Sequence, residues 1–271
     1  MKTTNCEAEL AAILKTYGRI AIAYSGGTDS TLLAAAANKA LGKDNVLLVH
    51  IDSPLLPDSE RCFAGEWAKG EGCNLLTIFL NPLENEQIRR NDEQRCYYCK
   101  KHVMGTVIKE AALRGISCVA DGTNVDDFSD YRPGMKASEE LGIRHPFVDA
   151  KMGKKEIRAL AEKYNLPNWN NPAAACLASR IPYHTELDAD VLKMIDSAES
   201  FLFSLGFRGC RVRYLSGRAK IETSVNDIAD VAAMRSDIIS GIKSCGFKGV
   251  LLDLEGYRQG SLNEDINTAK Q

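Results

Sequence analysis

The sequence predicts an α/β protein: a doubly wound parallel sheet over residues 1–170, a connecting loop over 171–184, and a smaller α+β domain over 185–271. Three observations point there. Short apolar runs alternate with helical patterns through the first part of the chain, the order that builds a parallel sheet covered by helices on both faces. Beyond residue 184 that alternation gives way to a helix, two short strands, a broken helix and a last strand. The composition, 45% hydrophobic and 26% charged over 271 residues, is sufficient for one large domain or two modest ones.

In chain order, Ile20 to Tyr24 has the length and β-branching of a buried strand. Leu32, Leu33, Ala36, Ala37, Ala40 and Leu41 fall on one helical face, so Ser30 to Leu41 reads as a helix. Val46 to Ile51 and Leu75 to Leu80 are strand-like, with a helix from Asp58 to Lys69 between them. Cys96 to Leu113 reads as a helix, Ser117 to Ala120 as a strand ending in Asp121-Gly122, and Lys154 to Tyr164 as a helix with Ile157, Leu160 and Ala161 on one face. Pro167 to Pro182 holds three prolines and no sustained period, which marks a loop. Ala189 to Leu205 is then helical, Arg211 to Tyr214 and Ala219 to Thr223 are short strands, Asp227 to Cys245 is a helix with a break, and Val250 to Leu254 is the last strand.

Between the first strand and helix lies Ser25-Gly26-Gly27-Thr28-Asp29-Ser30. Glycines there permit positive φ and let an anion approach the backbone, while free amides and the helix dipole point at the same spot. Such a turn could be an ordinary tight βα connection. Hydroxyls and a carboxylate packed around the glycines favour a phosphate site with a magnesium ligand. The loop lacks the lysine ending of a Walker loop and the Gly-x-Gly-x-x-Gly spacing. It resembles the PP-loop of the ATP pyrophosphatase superfamily, Ser-Gly-Gly-x-Asp-Ser, which implies an adenine nucleotide alpha hydrolase-like fold and cleavage of ATP between the α and β phosphates to adenylate a substrate. In open α/β sheets ligands bind beyond the carboxyl ends of the strands, so Ser25 to Ser30, Asp52-Ser53 and Asp121-Gly122-Thr123-Asn124 are expected side by side.

Thirty-four basic and thirty-six acidic residues leave a net charge of -2, which gives no global field for nucleic acid or an anionic membrane. The N-terminal stretch lacks a signal peptide's apolar core and no apolar run reaches membrane-spanning length, so the cytoplasm is the expected compartment. Nine cysteines without a secretory signal argue against a disulfide framework and toward metal or catalytic thiols. Cys6, Cys62, Cys73, Cys118, Cys210 and Cys245 stand singly and read as small buried hydrophobes.

Cys96-Tyr97-Tyr98-Cys99 opens a helix, and thiols at i and i+3 share a face within reach of one metal. A redox dithiol and a structural zinc are the rivals, though a closed zinc site needs four ligands and no second close pair is present. A third, distant thiol would leave one metal position open, as suits an iron-sulfur cluster that must bind something else. Cys176, in the small-residue loop Asn171-Pro172-Ala173-Ala174-Ala175-Cys176-Leu177-Ala178-Ser179-Arg180-Ile181-Pro182-Tyr183, is the choice. Arg180 and the Ser179 hydroxyl can bind an anionic substrate or hold the thiolate. Arg211 and Arg213, two apart on a strand, face one side and could grip a phosphate; two edge-strand surface arginines are the alternative. Tyr97 could stack on a cationic ring or simply pack.

Together the PP-loop, Asp121-Gly122-Thr123-Asn124 with Asp126-Asp127 and Asp130-Tyr131-Arg132-Pro133-Gly134, and Cys176-Leu177-Ala178-Ser179-Arg180-Ile181-Pro182-Tyr183 resemble the LarE family of ATP-dependent sulfur transferases over nearly the whole chain. The resemblance implies conversion of the carboxylates of pyridinium-3,5-biscarboxylic acid mononucleotide to thiocarboxylates, in building the nickel-pincer nucleotide cofactor of lactate racemase. One branch of that family sacrifices the sulfur of the cysteine matched by Cys176. The other holds a four-iron four-sulfur (4Fe-4S) cluster on three cysteines, here Cys96, Cys99 and Cys176, and transfers a sulfide from it. By this resemblance Ser25, Gly26, Gly27, Asp29 and Ser30 cradle the pyrophosphate of ATP with magnesium, Asp121 and Gly122 belong to the nucleotide site, Arg211 and Arg213 match the substrate-phosphate site, and Glu199, Glu222 and Asp230 line the active site with Cys176. A sulfide source and a homo-oligomer are the expected partners, with no stable nucleic acid and no membrane. The other readings are a tRNA thiolase of the same superfamily, an amide-forming relative such as an NAD or GMP synthetase, and a nucleotide-binding redox sensor without turnover.

Overall fold

The computed structural model describes residues 2–129, 133–171 and 175–258; of the motif residues, Asp130, Tyr131, Arg132, Pro172, Ala173 and Ala174 lie outside them. The chain forms two compact units, one comprising Met1–Ser53, Asp58–Pro82 and Gln94–Ala174, the other Pro54–Pro57, Leu83–Glu93 and Ala175–Gln271. The sequence reading assigned 54–57 and 83–93 to the first domain, whereas these short stretches fold with the C-terminal part.

The first unit runs α1 (Lys2–Tyr17), β1 (Ile20–Ala23), α2 (Thr28–Leu41), β2 (Val46–Asp52), α3 (Asp58–Gly70) and β3 (Leu75–Phe79). After α4 (Glu86–Arg89), which belongs to the second unit, the chain returns to the first with α5 (Arg95–Ala112), β4 (Cys118–Ala120), α6 (Pro133–Glu140), α7 (Pro146–Asp149) and α8 (Lys154–Lys163). The sheet order is β3-β2-β1-β4 and every pairing is parallel. A single parallel bridge from Ala120 to Arg144 extends it by one residue.

Parallel strands covered on both faces need apolar residues on both faces, and the pleat sorts them. Ile20, Ile22, Val46 and Leu48 pack with Leu10 and Leu14 of α1, Leu32 and Leu33 of α2, and Leu160 of α8. Ala21, Leu47, Val49 and Val119 turn the other way, onto Met104, Val107 and Ala111 of α5. The chain steps outward from β1 to β2 and β3, then crosses to β4 on the far side of β1. That reversal opens a crevice at the carboxyl ends of β1 and β4.

The second unit continues with α9 (Ala189–Ser204), β5 (Arg211–Leu215), β6 (Arg218–Glu222), α10 (Ile228–Ala233), α11 (Arg235–Ser244) and β7 (Gly249–Leu252). β5 and β6 form an antiparallel hairpin, and β7 adds parallel to β6. Ser216 and Gly217 both have positive φ, as the two-residue hairpin turn requires. The early stretches are tied in by backbone. Leu177 donates its amide to the Leu55 carbonyl at 2.8 Å, and the fully buried Asn91 donates its side-chain amide to the carbonyls of Pro182 and Thr185, each at 2.9 Å. Among the described residues no helix is long and apolar enough to cross a membrane.

Candidate functional site

The turn after β1 has the form its glycines predict. Gly26 adopts φ +86°, and a Cβ there would lie 2.9 Å from the Ala64 Cβ on α3, so only glycine lets the loop lie this close to that helix. Gly27 is the N-cap of α2 and supplies no side-chain cap, which leaves the first amides of a fourteen-residue helix to an anion. The Ser25 and Ser30 hydroxyls stand 3.1 Å apart, and Ser30 also donates to the Gly27 carbonyl at 3.1 Å. From outside the loop, Asn168 donates to the Gly26 carbonyl at 2.9 Å and accepts at its own carbonyl from Thr28 at 2.7 Å.

Asp29 pairs with Lys154, the first residue of α8, and accepts from Asn124 at 3.2 Å. Burial raises the Asp29 pKa, Lys154 works against that rise, and nearby Asp127 adds to it. The fully buried Asn124 is itself held by Asp127 at 2.9 Å. Gly122 comes so close to the loop that a Cβ on it would sit 3.0 Å from the Ser30 backbone nitrogen. The expected meeting of Ser25 to Ser30 with Asp121 to Asn124 is therefore present. Asp52 pairs with Arg61 of α3 at 3.1 Å and so fixes that helix at the end of β2.

Asp121, 4% exposed, lies between Lys100 Nζ at 2.5 Å and His145 Nδ1 at 2.7 Å. Burial alone would raise its pKa, but Lys100 and His145 overcome this and hold the carboxyl far below the usual carboxylate range. Through Lys100 the end of β4 is tied to the first turn of α5, which carries Cys96 and Cys99, both half-buried. Arg95, itself buried, donates to the Cys96 sulfur at 3.6 Å. Tyr97 packs: its hydroxyl donates to Glu140 of α6 at 2.7 Å and accepts from Lys101 at 3.0 Å.

In the second unit Cys176 is exposed at the start of a short turn, Leu177–Arg180. Arg180 and Glu199 of α9 form a two-pronged ion pair at 2.9 and 3.0 Å. Arg211 and Arg213 flank the fully buried Val212 on β5 and so share the other side of the strand, as their spacing predicts. The Arg211 guanidinium lies 5.5 Å from the Tyr257 ring centroid, and Arg213 donates to Glu222 at 2.9 Å and to the Ser179 carbonyl. Glu222, 3% exposed, also holds Lys220 at 2.8 Å. Asp230, on α10, lines a surface cleft with Asp227, Phe207 and Met234, and none of Arg180, Glu199, Arg211, Arg213 or Glu222 lines it.

No disulfide joins any of the nine cysteines. Among the described residues no group of three His, Cys, Asp or Glu side chains is gathered to hold a metal ion; Cys96 and Cys99 belong to the first unit and Cys176 to the second. Sequence reasoning missed Lys154, Lys100, His145 and Asn168. Each reaches the site from a separate element. The available signals were positional: Lys100 directly follows the Cys96-x-x-Cys99 pair, and Lys154 opens a helix directly after a glycine.

No protein-family model matches the chain. It is 38% identical over 264 residues to pyridinium-3,5-bisthiocarboxylic acid mononucleotide synthase of Lactiplantibacillus plantarum, covering 97% of this chain and 96% of that protein. An uncharacterized protein of Synechocystis is 36% identical over 262 residues, 95% of this chain and 97% of its own length. A glutamine-dependent NAD(+) synthetase of Synechocystis is 40% identical over 67 residues, 25% of this chain and 12% of that protein.

Proposed function

Since the chain belongs to the LarE family of pyridinium-3,5-bisthiocarboxylic acid mononucleotide synthases, we propose that it is an ATP-dependent sulfurtransferase that converts the two carboxylates of the pyridinium biscarboxylate mononucleotide to thiocarboxylates. The likeness along 97% of the chain to a synthase of that product carries this reading.

A carboxylate is a poor acyl donor because its leaving group would be oxide. In the first step a substrate carboxylate oxygen attacks the α-phosphorus of ATP and pyrophosphate leaves, so that AMP becomes the leaving group of an acyl adenylate. The amides at the start of α2 and the hydroxyls of Ser25 and Ser30 bind the departing pyrophosphate, where charge develops. Asp29 is the carboxylate that would hold magnesium, which suits the ion's preference for one or two carboxylates and phosphate oxygens. In the second step sulfur attacks the activated carbonyl carbon and AMP departs.

The donors suit an iron-sulfur cluster in kind: Cys96 and Cys99 on one helical turn, Cys176 on a loop, and no disulfide among them. When bound, a 4Fe-4S cluster would supply the sulfide and spare the protein's own cysteines. Arg211 and Arg213 hold the substrate phosphate, and Glu222 fixes Arg213 in place. Asp230 is the further acidic residue carried over from the family pattern.

The test is anaerobic turnover with ATP and the pyridinium biscarboxylate. Pyrophosphate release that requires that substrate, and falls in Ser30→Ala, is expected; no release from folded, ATP-binding protein contradicts the reading. For the cluster, iron and sulfide content of wild type and Cys96→Ala decides. Multiple turnover by a Cys96→Ala variant that binds no iron would overturn it.

A further inference from the structure

Arg180 is the least exposed cation of the second unit's candidate residues, at 2%, and each of its three guanidinium nitrogens has an acceptor within the protein. Nε and one Nη hold both oxygens of Glu199. The other Nη donates to the Ala175 carbonyl at 2.7 Å, the Cys176 carbonyl at 3.2 Å and the Ser179 hydroxyl at 2.9 Å. Glu199 also accepts the backbone amide of Val212 on β5 at 2.9 Å. The chain of contacts therefore runs from the backbone of the thiol-bearing loop, through a guanidinium and a carboxylate, into the sheet.

We infer that Arg180 and Glu199 are positioning residues that form a strut fixing the backbone beneath Cys176, rather than a substrate-binding cation and a catalytic acid. This rests on the reading of Cys176 as a working thiol. Burying a guanidinium is tolerated only when it is paired and hydrogen-bonded, and Arg180 is both. A substrate anion could reach it only by displacing Glu199 or the loop carbonyls, which would leave the mostly buried Glu199 carboxylate without its partner. The remaining anchors agree: Leu177 and Ala178 are buried, the Leu177 amide bonds to Leu55, and Arg213 bonds to the Ser179 carbonyl. With its backbone held from within, the loop turns the Cys176 side outward. A lysine could not reproduce this, since one nitrogen cannot reach both Glu199 oxygens and the loop carbonyls together.

The strut is tested by hydrogen exchange of the segment 175–182 in Arg180→Lys, Glu199→Gln and the double variant, with α11 as the internal reference. Each single substitution is expected to speed exchange of 175–182 by about tenfold or more while α11 stays unchanged, and the double variant to go little beyond the faster single. Alkylation of Cys176 by iodoacetamide, measured against the exposed Cys62, should rise in parallel, and kcat should fall with the KM for ATP unchanged. Unchanged exchange of 175–182 in Arg180→Lys overturns the inference, as does an equal rise across α11 in both single variants. Neither result touches the sulfur-transfer reading, which is tested separately by pyrophosphate release and thiocarboxylate formation in the wild-type protein.

Discussion

Gly122→Ala probes the contact between the end of β4 and the phosphate loop by adding one methyl group. The new Cβ would stand 3.0 Å from the Ser30 nitrogen, 3.1 Å from the Asp29 Cβ and 3.2 Å from the Asp29 carbonyl carbon. Two of these are backbone atoms with no rotamer through which to move aside. Comfortable carbon contacts begin at about 3.5 Å, so loop and strand end must part by about half an ångström. Gly122 is not among the positive-φ glycines, which leaves the methyl contact as the cause of any effect. Overpacking of this kind costs about 1–3 kcal/mol, and since a misplacement of about 1 Å can lower a rate some hundredfold, half of that predicts about tenfold. Expected are a lower melting temperature and a drop of about tenfold in kcat/KM for ATP, followed by pyrophosphate release. Gly105→Ala on α5, whose new methyl would meet nothing within 4 Å, is the control and should leave both unchanged or raise stability slightly. A Gly122→Ala protein with wild-type stability and kcat/KM for ATP would refute the reasoning.

Lys154→Met removes the cation from the half-buried Asp29 carboxylate; pyrophosphate affinity, measured by calorimetry, should fall about tenfold while AMP affinity holds. Gly241→Val drives a side chain into Phe201, whose Cζ would stand 2.1 Å from the new Cβ, and should lower stability by about 1–3 kcal/mol in urea titration. Glu7 ties α1 to Lys39 and Lys163, and hydrogen bonds from Lys163 and then Lys39 bring its pKa from 4.5 to about 2. Because the folded value is depressed, this stabilisation is complete above 4.5 and disappears as pH falls toward 2. Both lysines face solvent, so the effect is at most about 1 kcal/mol and weakens with salt; Glu7→Gln should flatten that part of the stability profile.

What the sequence made legible follows its periodicities. The β1 and β2 runs and the α2 stripe announced a covered parallel sheet, and Gly26 and Gly27 between them announced the turn, since each of these signals is local. α1 was legible but went unread: Cys6, Leu10, Ile13, Leu14 and Tyr17 recur at helical spacing and all pack on the core. α4 and α7, four residues each, are shorter than any helical repeat that could reveal them. The assignment of Pro54–Pro57 and Leu83–Glu93 to the second unit was invisible for another reason. It depends on bonds such as Leu177 to Leu55 and Asn91 to Thr185, between residues far apart in the chain. At the site the motif residues were legible and their partners were not. Asp29 and Asp121 could be named from their motifs, but Lys154, Lys100 and His145 become partners only through the packing of α5, α7 and α8 onto the sheet. Arg180 shows the converse: its residue type suggested a ligand for an anion, and its burial against Glu199 gives it a different part.

The most direct test is the amount of pyridinium thiocarboxylate formed per chain in anaerobic reactions supplied with ATP, sulfide and the biscarboxylate mononucleotide. Sulfur transfer from a cluster predicts several products per chain, with Cys176 recovered intact by mass. Product limited to one sulfur per chain, with Cys176 converted to dehydroalanine, would contradict the cluster, and no product from folded, iron-loaded protein would contradict the sulfurtransferase itself.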